Sequence, residues 1–253
     1  KFEKIWIVAC GTAYHAGLFG KDLFEKVLGV PVSVELASEF RYREPIVGKN
    51  DLGIVISQSG ETMDTIAATE LLKENGSHVL ALVNVVGSSL ARMADSVFYL
   101  HVGPEIGVAS TKAYLGMLVS QLVIAKHWDA ENKLDVSFDE IAELPKLIDK
   151  TMACEGQIKE ISEKIYKKND IYFIGRGLDY ALAAEGALKL KEISYLHAEA
   201  LAAGELKHGT LALIEKGTPV IVTASQNHLL DKTTSNVQEL SLIHISEPTR
   251  PYL

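Results

Sequence analysis

Several features that define whole classes of protein are scarce or missing in this sequence of 253 residues. No run of five or more Lys and Arg residues occurs and the formal net charge is −8, which argues against nucleic-acid binding, because phosphate backbones require clustered positive charge. No apolar run approaches the roughly 20 residues of a membrane helix, and no secretory signal is present. We therefore expect a cytoplasmic protein without a nucleic-acid or membrane partner.

Cysteine is also rare, with only Cys10 and Cys154 in the chain. Because cysteine prefers buried positions, we expect both to be buried, reduced thiols. His197 and His208 lack thiolate or carboxylate companions at the spacing of a zinc site. The GxxxxGK[ST] motif is missing too, which disfavours nucleotide hydrolysis. We expect no metal and no cofactor.

What is present is an alternation of apolar runs with amphipathic segments. The runs predict strands at 5–9, 32–36, 53–57, 78–83 and 96–100. Helical spacing is seen at 14–28, 62–75 and 110–128. Strands that alternate with helices favour an α/β fold with a parallel sheet covered on both faces.

The opening pattern returns later in the chain. "IWIVACGTAYHAG" at 5–17 aligns with "IYFIGRGLDYALA" at 171–183, and "IVIS" at 54–57 aligns with "VIVT" at 220–223, both with an offset of 166 (171 − 5 and 220 − 54). One offset shared by two strand-loop elements indicates a duplicated domain. The second copy is incomplete, because no counterparts of the last strands of the first copy follow it.

We therefore predict two tandem αβα domains, the second truncated. The expected divisions are a first domain at 1–129, a helical linker at 130–168, a second domain at 169–240 and a non-native tail at 241–253. The tail "SLIHISEPTRPYL" neither continues the preceding helical pattern nor predicts a strand. The abrupt start of the chain also indicates a fragment of a longer protein.

The loop "SQSGET" at 57–62 follows a predicted strand and precedes a predicted helix. Ligands of parallel sheets bind at such strand ends, and a helix N-terminus holds anions with its unpaired N–H groups. Ser57, Ser59 and Thr62 add hydroxyls, Gln58 adds an amide, and Gly60 permits close backbone approach. The loop fits a phosphate monoester, although a simple helix cap with Ser59 as N-cap remains an alternative.

Two glycine turns flank other predicted strands. Gly11, Thr12 and Ala13 follow the first strand and would lie beside the Ser57 loop if strands one and three are neighbours. The turn at Gly175 in the second copy lacks the third glycine of GxGxxG, because Tyr180 stands there. A dinucleotide site is therefore disfavoured.

The segment "EGALKLKEISYLHAEALAAGELKHG" at 185–209 concentrates charged residues among apolar ones. Lys189 and Glu192 are three positions apart and share a helix face. They form either an ordinary surface ion pair or a carboxylate base beside an ammonium, which suits proton transfer next to a carbonyl. His208 precedes a glycine and is either a solvated loop residue or an imidazole presented to a ligand.

Five motifs in order give this chain a specific resemblance from about residue 4 to residue 240. They are "ACGTAYHAG", "SQSGETMDT", "PEIGVASTKAY", "EGALKLKEISYLHAEA" and "AGELKHGTLALI". The chain resembles the isomerase part of the glutamine–fructose-6-phosphate aminotransferase family, which is built from two sugar isomerase (SIS) domains.

The resemblance implies roles for residues at matching positions. The implied phosphate loop is Ser57, Gln58, Ser59 and Thr62. Thr12 and Ala13 line the implied sugar site, and Val108 and Ser110 match positions beside the substrate. Family members often carry serine where Ala13 stands, so one hydroxyl is missing here. By the same resemblance Glu192 is the base for the proton shift, Lys189 assists protonation of oxygen, and His208 opens the sugar ring.

The resemblance also implies the reaction, in which fructose 6-phosphate and ammonia give glucosamine 6-phosphate for amino-sugar biosynthesis. His208 would act in the neighbouring subunit's site, which implies a homodimer. The family's glutaminase domain, which supplies ammonia, and its C-terminal Schiff-base lysine have no counterpart in this sequence, so we expect binding without complete synthesis. A plain aldose–ketose phosphate isomerase and a sugar-phosphate-sensing module are the alternatives.

Overall fold

A computed structural model describes residues 2–245 of the chain, with side chains described up to 240. The chain divides into two units, Lys1–Ala153 and Cys154–Leu253, and each is described by itself. The first unit contains five strands, and all five predicted runs are confirmed. The strands are β1 (Ile5–Ala9), β2 (Val32–Leu36), β3 (Leu52–Ser57), β4 (His78–Val83) and β5 (Ser96–Tyr99).

Helices connect these strands and follow the last of them. The three predicted helices are present, and short ones are added between them and after them. The helices are α1 (Gly11–Leu28), α2 (Ala37–Phe40), α3 (Met63–Glu74), α4 (Ser89–Met93), α5 (Lys112–Trp128), α6 (Phe138–Ala142) and α7 (Leu144–Met152). Ser137 forms a capping box with Glu140 at the start of α6.

The first sheet is parallel, with the strand order β2-β1-β3-β4-β5. β1 and β3 are neighbours, with Ile5 opposite Leu52 and Ala9 opposite Ile56. The chain runs from β1 outward to β2 and then crosses back to β3, so the topological switch point lies between β1 and β3. The turn at Gly11 and the loop at 57–62 both leave the sheet at this point.

The strand pleat divides the first core into two layers. Ile5, Ile7 and Ala9 pack with α1 and α5 on one face of the sheet, whereas Trp6 and Val8 pack with α2, α3 and α4 on the other. The central strands β1 and β3 are buried along their whole length and are almost entirely apolar. This rigid sheet holds the carboxyl ends of β1 and β3 in place.

The second unit contains a smaller parallel sheet with the order β7-β6-β8 among the described residues. Its strands are β6 (Asp170–Gly175), β7 (His197–Ala202) and β8 (Val220–Val222). Its helices are α8 (Glu155–Ile165), α9 (Leu178–Ser194) and α10 (Leu230–Ile245), with 3₁₀ segments at Ala203–His208, Thr210–Leu213 and Asn227–Leu229. α9 covers one face of this sheet.

The strand order of the second unit repeats that of β2-β1-β3, as the duplicated pattern predicts. The repeat is not perfect in register. Trp6 pairs with Gly53 in the first sheet, whereas Tyr172, its counterpart, pairs with Val220, the counterpart of Ile54. By strand pairing, Val220 of β8 therefore corresponds to Gly53 of β3, whereas by sequence alignment it corresponds to Ile54.

The structure corrects two expectations from the sequence and leaves a third untested. The two thiols are not both buried, since Cys10 is half-buried and Cys154, which lies between two amphipathic helices, is exposed. α10 continues through Ile245, so residues 241–245 of the expected tail do continue the preceding helix. Residues 246–253 of the expected tail lie outside the described residues, and the predicted domain boundaries stay predictions.

Candidate active site

A cavity of about 170 Å³ lies at the switch point of the first sheet. It brings together residues from the end of β1 and the first turn of α1, from β3 and the loop after it, and from α5 and the loop before it. Its lining residues are Cys10, Thr12, Ala13, Ile56, Ser57, Gln58, Ser59, Thr62, Ser110 and Met117. Seven of the eight positions predicted to contact substrate in this unit therefore line one cavity, and Val108 is the exception.

The loop at 57–62 is held in shape by its own hydroxyls. Ser57 Oγ accepts a hydrogen bond from the Gly60 N–H at 3.0 Å and lies 3.1 Å from Thr62 Oγ1. Ser59 Oγ accepts from the Glu61 N–H at 3.2 Å. These short-range bonds turn the chain tightly, and Ser57, Ser59 and Thr62 all line the cavity.

The simple capping alternative does not describe this loop. The N-cap of α3 is Thr62 rather than Ser59, and its side chain makes no capping hydrogen bond within the described residues. The two carboxylates that would balance the helix dipole have other partners. Glu61 accepts from the Ser89 N–H at 2.7 Å, and Asp64 pairs with Arg41 at 2.8 Å. The start of α3 therefore keeps its capacity to hold an anion.

The contact with Ser89 has an electrostatic consequence. Hydrogen bonds from Ser89 lower the pKa of Glu61. This carboxylate therefore stays ionised and bound to the start of α4. A second helix, α1, also begins at the cavity, with no acidic residue in its first turn. No Asp, Glu, Lys or Arg is among the described lining residues. The site is thus a neutral, hydroxyl-lined cavity at two helix N-termini.

A loop after β5 places Ser110 at this cavity. Glu105 organises the loop by accepting bonds from Ser110 Oγ at 2.9 Å and from the Thr111 and Ala113 N–H groups at 2.7 and 3.4 Å. Burial raises the pKa of Glu105, but these hydrogen bonds outweigh burial and bring the pKa below its ordinary value. Val108 lies in the same loop with 94% of its surface exposed.

A larger cavity of about 660 Å³ shares Gln58 with the smaller one. Its other lining residues come from the loops after β4 and β5, and they are Asn84, Val85, His101, Gly103, Pro104 and Glu105. The side chain of Asn84 joins the two loops, since its Nδ2 donates to the Gly103 carbonyl and its Oδ1 accepts from the Val102 N–H. The small cavity suits a phosphate, and this one offers room for a polyhydroxyl chain.

The predicted base lies in the second unit, near the end of α9. Lys189 Nζ is 2.5 Å from Glu192 Oε2 and 3.4 Å from Glu185 Oε1. Glu185 is buried, whereas the Glu192 side chain keeps 28% of its surface exposed. Lys189 thus joins one buried and one accessible carboxylate. His208 is exposed at the end of a 3₁₀ segment rather than in an irregular loop.

Sequence reasoning missed three residues that shape these sites. Glu185 stands four positions before Lys189, and this helical spacing could have revealed it. Met117 is one of the regularly spaced apolar residues of α5, which gives no sign that it lines a cavity. Glu105 binds residues five to eight positions away through an irregular loop, and no local pattern signals such a contact.

Two further features are missing from the part of the chain that the structure describes. No group of three or more His, Cys, Asp or Glu side chains there is arranged to hold a metal ion. Among the same residues, no helix has both the length and the apolar character needed to cross a membrane.

The class of protein follows from this fold and from comparison with known sequences. The profile of the SIS domain matches residues 1–126 and 164–242, so the chain belongs to the SIS domain family. The matched segments contain both parallel sheets and all the predicted site residues.

More specific relatives carry one name. The chain is 52% identical over 247 residues to a glutamine–fructose-6-phosphate aminotransferase [isomerizing] of Clostridium tetani, and the match covers 95% of this chain and 41% of the relative. It is 49% identical over 242 residues to the protein of that name from Pyrococcus horikoshii, with 94% of the chain and 40% of the relative covered. The chain therefore spans about two fifths of the length of these relatives.

A solved structure supports the same relationship. The C-terminal domain of glucosamine-fructose-6-phosphate aminotransferase from Francisella tularensis superposes with a TM-score of 0.86 at 43% identity. The match covers 95% of this chain and 70% of that chain.

Proposed function

We propose that this chain is the isomerase part of a glutamine–fructose-6-phosphate aminotransferase and that it binds fructose 6-phosphate at the 57–62 loop. The observation that carries the proposal is the hydroxyl-lined cavity at the N-termini of α1 and α3. A phosphate monoester matches such a site because N–H and O–H donors hold its oxygens without a cation. The names of the relatives at 52% and 49% identity support the same substrate.

In the proposed complex, Ser57, Ser59 and Thr62 donate to the phosphate, with Gln58 on the side of the larger cavity. Because Glu61 and Asp64 are bound to Ser89 and Arg41, their carboxylates do not occupy the donors that the phosphate needs. Thr12, Ala13 and Ser110 contact the part of the sugar next to the ester, and the rest of the sugar chain extends past Gln58 into the larger cavity. Val108, on the exposed loop, is proposed to contact substrate as well.

The proposed chemistry is a proton shift between two neighbouring carbons. Ammonia adds to C2 of the open-chain ketose and water leaves, which gives a C2 imine. Glu192 takes a proton from C1, the C–H electron pair forms a C1–C2 double bond, and the electron pair of the C2=N bond moves to nitrogen, which takes up a proton and becomes an amine. The proton held by Glu192 then adds to C2 while the C1 hydroxyl loses its proton, which leaves an aldehyde at C1 and an amine at C2. Lys189 holds the carboxylate in place and favours negative charge on the C1 oxygen.

The remaining parts of the proposal concern partners. His208 opens the sugar ring in the site of a neighbouring subunit, so the working enzyme is a homodimer in the cytoplasm. A glutaminase domain supplies the ammonia in the whole protein, a proposal supported by the word glutamine in the name of the relatives. A plain aldose–ketose isomerase would need no ammonia, and this requirement distinguishes the two candidates.

Calorimetric titration of the chain with fructose 6-phosphate tests the binding proposal. Ser59→Ala combined with Thr62→Ala removes two hydrogen bonds to a charged group, so we expect affinity to fall at least about 100-fold. The matched control is Thr151→Ala combined with Ser162→Ala, which removes two exposed hydroxyls that bond only to their own helices. Unphosphorylated fructose should give no measurable heat.

Two results would contradict the proposal. One is equal affinity of the loop variant and the control variant for fructose 6-phosphate. The other is the absence of binding by the unsubstituted chain when circular dichroism shows that it is folded.

A further inference from the structure

The second unit contains a buried carboxylate that the proposed reaction does not use. Asp179, in the first turn of α9, is 2% exposed. Its Oδ1 accepts from Ser225 Oγ at 2.6 Å. Its Oδ2 accepts from the Ser225 N–H at 3.0 Å, the Gln226 N–H at 3.4 Å and Gln226 Nε2 at 3.2 Å. The carboxylate is therefore surrounded by the donors of one loop.

This loop follows β8 and is the counterpart of the loop after β3. By the sequence offset, Ser225 corresponds to Ser59 of the first unit. By the strand register, which differs from that offset by one residue, Ser225 corresponds to Gln58. By either measure Ser225 and Gln226 fall within the counterpart of the 57–62 loop. The donors around Asp179 thus occupy the place of the donors that line the cavity of the first unit.

Asp179 itself is the counterpart of Ala13. The offset of 166 (179 − 13) relates them in sequence. Backbone hydrogen bonds relate them in space, since the Ala13 N–H donates to the Cys10 carbonyl and the Asp179 N–H donates to the Arg176 carbonyl, in each case three residues earlier. Ala13 ends in a methyl group beside an open cavity, whereas at the same position of the second unit a carboxylate extends into the loop.

Burial raises the pKa of Asp179, but the hydrogen bonds from Ser225 and Gln226 outweigh burial and bring the pKa below its ordinary value. The group is therefore ionised at neutral pH and is a resident anion. A phosphate could not use these donors at the same time, because two anions would share one set of N–H and O–H groups.

We propose that Asp179 is a built-in occupant of a second anion site, so that each chain has one open site for a phosphate ester, and that removal of this carboxylate opens the second site to phosphate. The contacts of Asp179 support this proposal, and all of them lie within the second unit. Only the comparison with an open site at 57–62 rests on the proposed function.

Two-dimensional ¹H–¹⁵N NMR of the full chain tests this inference, with the amide resonances of Ser225 and Gln226 as the readout. The variant is Asp179→Ala, and the matched control is Asp231→Ala, which removes an exposed carboxylate in the first turn of α10. Inorganic phosphate is added at constant ionic strength against chloride. We expect saturable shifts in Asp179→Ala with an apparent affinity at least tenfold above that of the unsubstituted chain and of Asp231→Ala.

Every outcome decides the inference. If Asp179→Ala unfolds the second unit, phosphate should restore its dispersed resonances, and failure to restore them would overturn the inference. If the variant is folded, Ser225 and Gln226 resonances that do not shift when phosphate is added would also overturn the inference. The resonances of residues 57–62 report the proposed function separately, because they respond to phosphate whether or not the second site opens.

Discussion

Gly60 is the residue on which the shape of the 57–62 loop depends most. Its φ of +66° lies in the left-handed region, which a residue with a Cβ rarely adopts. A Cβ there would lie 2.1 Å from Ser88 Oγ, a buried hydroxyl. Glycine is therefore required at this position for two separate reasons, one of backbone conformation and one of space.

Gly60→Ala should destabilise the first unit and distort the cavity. Gly87→Ala is the matched control, because Gly87 has a φ of +73° and open space where a methyl group would lie. We expect about 1 kcal/mol of lost unfolding free energy for Gly87→Ala from backbone strain alone, and about 3 kcal/mol or more for Gly60→Ala. Urea denaturation measures both, and equal losses would show that Ser88 does not constrain the loop.

The start of helix α5 is fixed by a carboxylate from the loop that precedes it. Glu105 binds Ser110, Thr111 and Ala113 and so connects an exposed loop to the first turn of the helix. This contact takes the place of a local N-cap, since Thr111 makes no capping bond to its own helix among the described residues. The position of Ser110 at the cavity depends on it.

Glu105→Gln should lower the unfolding free energy of the first unit by about 1–2 kcal/mol at neutral pH, because a neutral amide is a weaker acceptor. The folded-state pKa of Glu105 is lowered, so its contribution is fully present above the unfolded pKa of about 4.3 and is lost as the pH falls through the folded value. The difference between variant and parent should shrink in acid.

Urea titrations at neutral pH and near pH 3 check this prediction. Glu131→Gln is the control, since this exposed carboxylate has only a surface ion pair with Lys133. A Glu105→Gln difference that persists unchanged in acid would contradict the role given to the charge of Glu105.

The elements show how far sequence patterns reach. All five strands of the first sheet were predicted from apolar runs, and the signal is most continuous in β1 and β3, which are buried along their whole length. α2 (Ala37–Phe40) and α4 (Ser89–Met93) were missed, since four or five residues are too few for a helical period. The cavity residues at 12–13 and 57–62 followed from strand-end loops and Ser110 followed from the family resemblance, whereas the contacts of Glu105 through an irregular loop and those of Asp179 leave no local pattern.

The two units of the chain differ in the amount of core that each contains. The first unit has two buried clusters around a five-stranded sheet. The described part of the second has smaller clusters around a three-stranded sheet. Because stability rises with buried apolar area, we expect the second unit to unfold first.

Urea denaturation followed by two probes tests this order. The chain has 2 tryptophans, Trp6 and Trp128, and both belong to the first unit. Circular dichroism should therefore begin to change at a lower urea concentration than tryptophan fluorescence. Fructose 6-phosphate at about 100 times its dissociation constant should stabilise only the fluorescence transition, by about 2.7 kcal/mol. Coincident transitions by both probes would contradict the predicted order.

The central claim is that a sugar phosphate binds at the switch point of the first sheet and at no equivalent point of the second. A crystal structure of the chain with fructose 6-phosphate measures this directly, through the position of the phosphate in a difference electron-density map. The account predicts one phosphate per chain, within hydrogen-bond distance of the Ser57, Ser59 and Thr62 hydroxyls, and an Asp179 carboxylate still bound to Ser225. A phosphate at the 223–227 loop, or a ligand bound away from the 57–62 loop, would contradict it.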